Sequence, residues 1–176
     1  DLGRIEHYVE MAMVFLRLGS ESTDYVIREF ELDPLIRSCV RKFAPDFIGK
    51  QLHLELEPTH TSVVSDEKWL AFVIEQLLSN ALKYTKTGSV RIYMTQPKTL
   101  CIRDTGIGIA PEDLPRIFEK GYTGLNGRSE RRASGLGLYL CRSICRRLGH
   151  GLSAVSVPGE GTELRIDLNT HSLTVE

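Results

Sequence analysis

The sequence predicts an α/β sandwich in which a mixed sheet packs on helices. Segments that alternate apolar and polar residues, as strands do, interleave with segments whose apolar residues recur at helical spacing. Three pairs of strand segments are also close enough along the chain to form hairpins. With 176 residues, 41% of them apolar, the chain can bury one sizeable core. We therefore expect one globular domain with some additional helix.

Charge and hydropathy exclude several function classes. Lys plus Arg number 22 against 23 Asp plus Glu, so no overall basic field attracts nucleic acid or an anionic membrane, and phosphate binding must be local. No apolar run approaches the roughly 18 to 20 residues of a membrane span. Because the chain begins at Asp1 rather than Met, we expect a fragment whose parent could include a membrane part.

The cysteines indicate a reducing compartment, the cytosol. No CxxC pair and no zinc-finger spacing to a histidine occurs. Cys141 and Cys145 are one helical turn apart, where two buried thiols are expected rather than a ligand pair.

The first half of the chain contains two predicted helices and three predicted strands. Residues 1–19 form an amphipathic helix, which is either an ordinary surface helix or a dimer helix; its apolar seam consists of Leu2, Ile5, Val9, Ala12 and Leu16. A strand over 26–32 precedes a helix with Asp33 as N-cap and Pro34 at its first position. Residues 51–57 alternate as a strand, and a short strand lies near 63–64.

The second half begins with a helix that Asp66 caps and that runs through "EKWLAFVIEQLLSNALKYT". The strands "SVRIYMT" and "TLCIRD" follow, joined by a turn that contains Pro97 and Lys98. A short helix over 111–118, a glycine-rich charged segment over 121–134, the helix "GLGLYLCRSICRRLG" and a closing hairpin around "PGEG" complete the chain.

Three features could carry chemistry. Asp104 ends a strand and precedes Gly106 and Gly108. Its carboxylate could accept a hydrogen bond from the exocyclic amine of adenine, and the glycines would let a ligand approach the backbone. An ordinary turn between two elements explains the same residues. Asn80 is an amide on a largely apolar helix face beside Lys83; a backbone partner or a phosphate-bound magnesium ion would satisfy it.

The third feature is "SGLGLYL", whose glycines open a helix. Free N–H groups at such an end attract anions, but the motif lacks the lysine of a P-loop and the third glycine of a dinucleotide fingerprint. The long basic segment before it, which includes Lys120, is better explained as a lid over phosphates than as a solvated loop.

Four motifs in order resemble those of bacterial sensor histidine kinases: "EQLLSNALKYT" the N box, "RDTGIGIA" the first glycine box, "PRIFEKGYTG" the F box and "SGLGLYL" the second glycine box. The resemblance implies a Bergerat-type two-layer α/β sandwich that binds ATP and Mg²⁺. It implies that residues 1–20 are the end of a dimerisation helix, that residues 21–176 are the catalytic ATP-binding domain, and that residues 119–134 are approximately the lid.

The resemblance also implies residue roles. Asn80 is the expected magnesium ligand and, with Lys83, a catalytic residue; Asp104 reads adenine, Thr162 belongs to its water network, and Phe118 positions the lid. The full set of implied nucleotide-binding residues is Asn80, Lys83, Tyr84, Asp104, Gly106, Gly108, Ile109, Phe118, Lys120, Gly121, Tyr122, Thr123, Gly124, Gly135, Leu136, Gly137, Leu138 and Thr162.

The same resemblance implies the partners. Within the family, the chain is especially similar to the intramembrane-sensing kinases of Gram-positive bacteria that respond to cell-wall-active peptides. It implies a homodimer through the N-terminal helix, a cognate response regulator, an ABC transporter partner and no nucleic acid. The full-length protein is expected in the cell membrane, with this chain as its cytoplasmic domain.

Two departures from the family pattern bear on the mechanism. Gln76 stands where related ATPases carry a general-base Glu, and Glu75 is turned roughly 100° away around the helix. An amide cannot take a proton from water, so the site suits phosphate transfer rather than hydrolysis. His7 lies off the apolar seam and lacks the acidic residue and nearby proline that accompany the family's phosphorylated histidine, so we expect the acceptor histidine outside this chain.

Three alternatives stay open. A related ATPase would need a glutamate at position 76, and a serine kinase of the anti-sigma type normally lacks the preceding helix. A nucleotide-gated docking module without catalysis is the non-enzyme alternative.

Overall fold

The computed structural model describes residues 2–20, 25–123 and 135–169 and has helices and strands in alternation. The elements are α1 (Leu2–Leu18), β1 (Ile27–Glu31), α2 (Leu32–Lys50), β2 (His53–Leu56), β3 (Ser62–Asp66), α3 (Glu67–Tyr84), β4 (Ser89–Thr95), β5 (Thr99–Asp104), a 3-10 turn (Leu114–Arg116), α4 (Gly137–Arg147), β6 (Gly151–Val157) and β7 (Gly161–Asp167). The predicted order of helices and strands is confirmed.

The main sheet has five strands in the order β2-β4-β5-β7-β6. Its β2–β4 pair is parallel and the other pairs are antiparallel, so the predicted mixed sheet is confirmed. The third expected hairpin, between β2 and β3, is wrong: β3 pairs instead with β1 in a separate two-stranded sheet. The strand alternation that predicts both segments carries no information about their partners.

The core lies between one face of the main sheet and helices α2, α3 and α4. Helix α3 is central, because it packs against both neighbouring helices and against β5. Its buried residues are Leu70, Val73, Ile74, Leu77, Leu78, Ala81 and Leu82. Asp66 caps it as predicted, with the Trp69 N–H donating to Asp66 Oδ1 at 3.0 Å.

The predicted start of α2 is wrong by two residues. The helix follows β1 directly from Leu32, and its N-cap Glu31 makes no side-chain capping bond. The Asp33 carboxylate is used elsewhere, since it accepts hydrogen bonds from Thr59 N at 2.9 Å and from His60 N at 3.0 Å. The carboxylate that the local pattern predicts as the helix cap therefore accepts hydrogen bonds from a loop that is distant in sequence.

Helix α1 has two apolar faces. Met11, Val14 and Leu18 are buried against the domain. The predicted seam is instead exposed; Leu2, for example, is 77% exposed. The pattern therefore predicts the helix correctly, but another set of apolar residues packs on the domain.

The helix predicted over 111–118 is largely wrong, and the buried thiols are confirmed. Of the helix expected over 111–118, only the 3-10 turn Leu114–Arg116 forms. The four cysteines are free and buried, as expected for reduced thiols, and burial raises the pKa of Cys145 to about 12.

Within the described ranges, no helix combines the length and the apolar character needed to cross a bilayer.

His150 joins the small sheet to the main sheet. It is 5% exposed, and its Nε2 lies 2.8 Å from the Ser65 Oγ of β3. Burial lowers the pKa of His150 to about 4, and only the Asp167 carboxylate opposes this shift. The imidazole is therefore neutral in the folded protein at pH 7.

We expect His150 to make the fold acid-sensitive. Below pH 6.5 the unfolded chain takes up a proton that the folded chain binds only near pH 4, so stability falls as the pH falls through this window. The free energy of unfolding should decrease by up to about 3 kcal/mol. Urea unfolding at pH 7, 5.5 and 4.5 measures this. His150→Gln should flatten the pH dependence, and an equally steep profile in that variant would contradict the assignment.

Candidate functional site

Asp104 lies at the end of β5, between its register partners Val90 on β4 and Thr162 on β7. The residue is 6% exposed. Its Oδ1 accepts hydrogen bonds from the Gly106 N–H at 2.9 Å and the Thr162 N–H at 3.2 Å. Oδ2 accepts none from the part of the chain that the structure describes. One oxygen thus orients the carboxylate, and the other is left for a ligand.

Burial raises the pKa of Asp104 above its usual range, against the effect of the two backbone donors. An ionised carboxylate here pays a desolvation cost that a ligand donor would offset.

Glycines allow the backbone to pack closely around this carboxylate. A Cβ on Gly106 would lie 2.3 Å from the Tyr84 backbone oxygen and 2.9 Å from Asp104 Oδ1. Gly108 has a φ of +74°, and a Cβ there would lie 2.3 Å from the Val157 oxygen. Both positions therefore require glycine, which confirms that the loop is built around close backbone approach.

We expect Gly106→Ala to destabilise the protein by about 1–3 kcal/mol, because the methyl group meets the backbone oxygen of Tyr84. Gly49→Ala in α2 is the matched control, since no atom lies within 4 Å of its Cβ position. The control should be neutral or stabilising, because alanine favours a helix. Thermal unfolding of both variants measures the difference, and equal midpoints would contradict the close packing at position 106.

Ser156 connects the first glycine loop to Thr162. Its Oγ accepts a hydrogen bond from Ile109 N at 2.8 Å, donates to the Gly161 oxygen at 2.9 Å and lies 2.8 Å from Thr162 Oγ1. Sequence reasoning missed Ser156. The predicted hairpin around "PGEG" could have revealed it, because the register of that hairpin places Ser156 opposite Thr162.

Helix α3 brings the N-box residues to the start of α4. Gln76 Oε1 lies 3.2 Å from the Cβ position of Gly137, the first residue of α4. One turn further along α3, Asn80 is half-buried, as are Lys83 and Tyr84, and Lys83 Nζ lies 5.0 Å from the centre of the Tyr84 ring. The α4 N-cap, Leu136, makes no side-chain cap. An anion could therefore use the N-terminal N–H groups of α4 beside α3.

Glu75 faces α2 and is rotated about 100° around α3 from Gln76. Its carboxylate is paired with Lys42 Nζ of α2 at 2.8 Å. This pair raises the pKa of Lys42. The carboxylate adjacent to Gln76 is thus occupied on the α2 side of the helix, as the 100° rotation per residue predicts.

The two ends of the expected lid meet. The Gly121 N–H donates to the Gly135 oxygen at 2.9 Å, and a Cβ on Gly135 would lie 2.5 Å from the Gly121 carbonyl carbon. Residues 124–134, including Gly124, lie outside the described residues. Thr123 is half-buried, and the Tyr122 hydroxyl donates to Asp113.

Phe118 and Lys120 are placed differently. Phe118 is 9% exposed, and the Arg142 guanidinium of α4 lies 4.7 Å from its ring centre, which anchors the F box on α4. Lys120 Nζ instead lies 4.5 Å above the Phe15 ring of α1. The structure therefore places Lys120 against α1. Leu138 packs against the core.

Comparison with known proteins agrees with this geometry. A family model described as "Histidine kinase-, DNA gyrase B-, and HSP90-like ATPase" matches residues 65–172. Sensor histidine kinase YxdK of Bacillus subtilis (strain 168) is 31% identical over 97% of the chain, which covers 54% of that protein. Sensor histidine kinase GraS of Staphylococcus haemolyticus is 37% identical over 92% of the chain, which covers 48% of that protein. The chain thus spans about half the length of the curated relatives it matches.

Solved structures share the fold. Full-length ShkA in complex with AMPPNP matches 90% of this chain with a TM-score of 0.76 and 22% identity, over 34% of its own chain. The Acinetobacter baumannii histidine kinase AdeS matches 96% of this chain with a TM-score of 0.74 and 22% identity, over 81% of its own chain.

Proposed function

The chain belongs to the family of histidine kinase-, DNA gyrase B- and HSP90-like ATPases and is the ATP-binding catalytic domain of a sensor histidine kinase, and from this premise we propose how it acts. It binds Mg-ATP and transfers the γ-phosphoryl group to a histidine on a dimerisation helix, outside this sequence. The bond from the γ-phosphorus to the bridging oxygen breaks, a bond to an imidazole nitrogen forms, and ADP leaves. The phosphoryl group then passes to an aspartate of a response regulator.

The observation that carries this proposal is the amide at the general-base position. Gln76 faces Gly137, whereas the carboxylate of Glu75 is paired with Lys42. Without a base to activate water, bound ATP is spared from hydrolysis and remains available to another nucleophile. Catalysis then depends on positioning and on neutralising the phosphate charge.

The nucleotide fits the groups that are present. Asp104 Oδ2 would accept from the adenine amine beside the backbone of the glycine loop at Gly106 and Gly108. The start of α4 at Gly137 would face phosphate oxygens. Asn80 would hold Mg²⁺, which, when bound, neutralises phosphate charge; the ion takes few protein oxygens. The described residues contain no cluster of three or more His, Cys, Asp or Glu that could hold a metal.

We also propose the partners and the domain boundaries. The exposed seam of α1, with Leu2, Ile5 and Val9, supports a homodimer through this helix in the longer protein. We propose residues 1–20 as the end of the dimerisation helix, residues 21–176 as the catalytic domain and about 119–134 as the lid. A membrane-embedded parent with an ABC transporter partner rests on the resemblance to the intramembrane-sensing kinases.

One experiment tests the function. Calorimetry first measures ADP and Mg-ADP binding to the chain. The chain is then mixed with labelled ATP and the histidine-bearing dimerisation domain of YxdK or GraS. We expect an acid-labile phosphorylated product and slow hydrolysis without the acceptor. An acid-stable product would indicate a serine kinase, fast hydrolysis would indicate an ATPase, and nucleotide binding without transfer would indicate a docking module.

A further inference from the structure

The last turn of α3 ends without the left-handed residue that commonly closes a helix. Its C-cap Thr85 is extended, with φ −110° and ψ 109°, so the chain leaves the helix directly toward β4. The last carbonyl oxygens of a helix have no partner within the helix, and at such an end other elements must supply one. Lys83 and Tyr84 of the candidate site belong to this turn. The groups that bind its carbonyl oxygens therefore bear on the site.

Lys50, the last residue of α2, supplies such a group. Its Nζ donates to the Leu82 oxygen of α3 and, at 3.3 Å, to the Thr85 oxygen. The Tyr84 oxygen accepts instead from the Ile107 N–H of the first glycine loop, at 3.1 Å. Two elements distant in sequence thus hold the end of α3, and one ammonium group joins the last turn of the helix to the residue that follows it.

The topology of the main sheet brings Lys50 to this position. Helix α2 leads into β2 and α3 leads into β4, and β2 pairs with β4 in parallel, with His53 opposite Ser89. Parallel neighbours begin at the same edge of a sheet, so the C-terminal ends of the two helices lie side by side. Each end carries a partial negative charge, and an ammonium group on one end that reaches the other is favourable. Its hydrogen bonds are also of the stronger, charge-assisted kind.

The turn that Lys50 holds carries residues of the proposed phosphate side. Lys83 and Tyr84 follow Leu82 directly and are both half-buried, and Lys83 Nζ lies 5.0 Å from the centre of the Tyr84 ring. Helix ends fray when their carbonyl groups lose their partners. A displacement of about 1 Å in a positioning element can cost up to about 100-fold in rate. The bond from Lys50 to the Leu82 oxygen is therefore placed to affect the nucleotide site.

We propose that Lys50 is a positioning residue for the nucleotide site and acts through the last turn of α3. The inference rests on the proposed function, because it takes Lys83 as a residue that meets the phosphates. The ammonium group keeps the turn helical as far as Tyr84 and so holds Lys83 where it neutralises phosphate charge. In this role Lys50 contacts the backbone, and Lys83 contacts the nucleotide.

The test is a double-mutant cycle on Mg-ADP affinity, measured by calorimetry. Lys50→Met removes the ammonium group and keeps most of the aliphatic stem, and we expect affinity to fall about tenfold. In a Lys83→Met background the same change should have an effect of less than about twofold, because the residue through which Lys50 acts is already absent. Lys50→Arg, which keeps a charged donor, should restore most of the wild-type affinity.

Lys68→Met is the matched control, because Lys68 is exposed at the other end of α3. It should leave Mg-ADP affinity unchanged. Thermal unfolding without nucleotide checks that each variant is folded. If the methionine variant at position 50 does not fold, Lys50→Gln is measured in the same way.

Three outcomes would overturn the inference. The first is wild-type affinity in Lys50→Met, and the second is an arginine variant that binds as weakly as the methionine variant. The third is a loss that persists at its full size in the Lys83→Met background, which a general structural role would produce. A wild-type protein that binds no ADP would instead refute the proposed function itself, so the two failures are distinguishable.

Discussion

Asp104→Asn should lower the affinity for ADP by about 100-fold while the unliganded protein remains folded. The substitution replaces the ionised acceptor with an amide, whose nitrogen repels the adenine amine wherever it takes the place of Oδ2. Folding should survive, because the amide oxygen can still accept from the N–H groups of Gly106 and Thr162.

The pKa of Asp104 decides the sign of the stability effect. Burial raises this pKa, so the folded state binds the proton more tightly than the unfolded chain does, and the charged form costs stability above the folded pKa. The neutral asparagine avoids this cost at pH 7. The unliganded Asp104→Asn protein should therefore be at least as stable as wild type in thermal unfolding.

Calorimetry and thermal unfolding at pH 7 measure both effects, with Asp46→Asn on the exposed surface of α2 as the matched control. The control should leave ADP affinity and unfolding temperature unchanged. Wild-type affinity for ADP in Asp104→Asn would show that the base is read elsewhere. Loss of folding together with binding would show that the carboxylate has a structural role.

The second large effect concerns Asn80. We expect Asn80→Ala to lower the rate of phosphoryl transfer by about 100-fold or more, as removal of one group that stabilises transferring charge commonly does. Affinity for ADP in the presence of a chelator should stay near the wild-type value, because the proposed role of Asn80 is to hold the metal. The gain in affinity on adding Mg²⁺ should disappear.

Transfer to an added histidine-bearing dimerisation domain measures the rate, and calorimetry with and without Mg²⁺ measures the affinities. Ser79→Ala is the matched control, since position 79 is also half-buried but is rotated about 100° around α3. An equal loss of ADP affinity with and without Mg²⁺ would assign Asn80 a structural role, and unchanged transfer would remove it from the site.

Much of the fold could be predicted because its signals are local. The Asp66 cap, the helical stripe of α3 and the alternation in β4 and β5 each involve residues close in sequence, and all are confirmed. The β2–β3 hairpin was wrong, because β2 pairs with β4 across the whole length of α3. A parallel pair needs such a crossover, and strand alternation does not name the partner.

The candidate site also has one part that local patterns predict and another that they do not. Its motifs could be recognised from residue types in order, and the helical rotation alone could place Glu75 about 100° around α3 from Gln76. Ser156 could not be found, because a serine in a strand is ordinary in any local pattern. Its role becomes visible only through its neighbour Thr162.

By itself, the sequence determined most of the elements, the Asp66 cap of α3 and the glycines that a nucleotide loop requires, because propensity and periodicity act over a few residues. Only the tertiary structure decided that Asp104 Oδ1 is held by Gly106 and Thr162, that Lys120 joins α1, and which apolar face of α1 is covered. These facts depend on strand register and packing between distant segments. Such contacts arise when the whole chain buries its core, and no single segment encodes them.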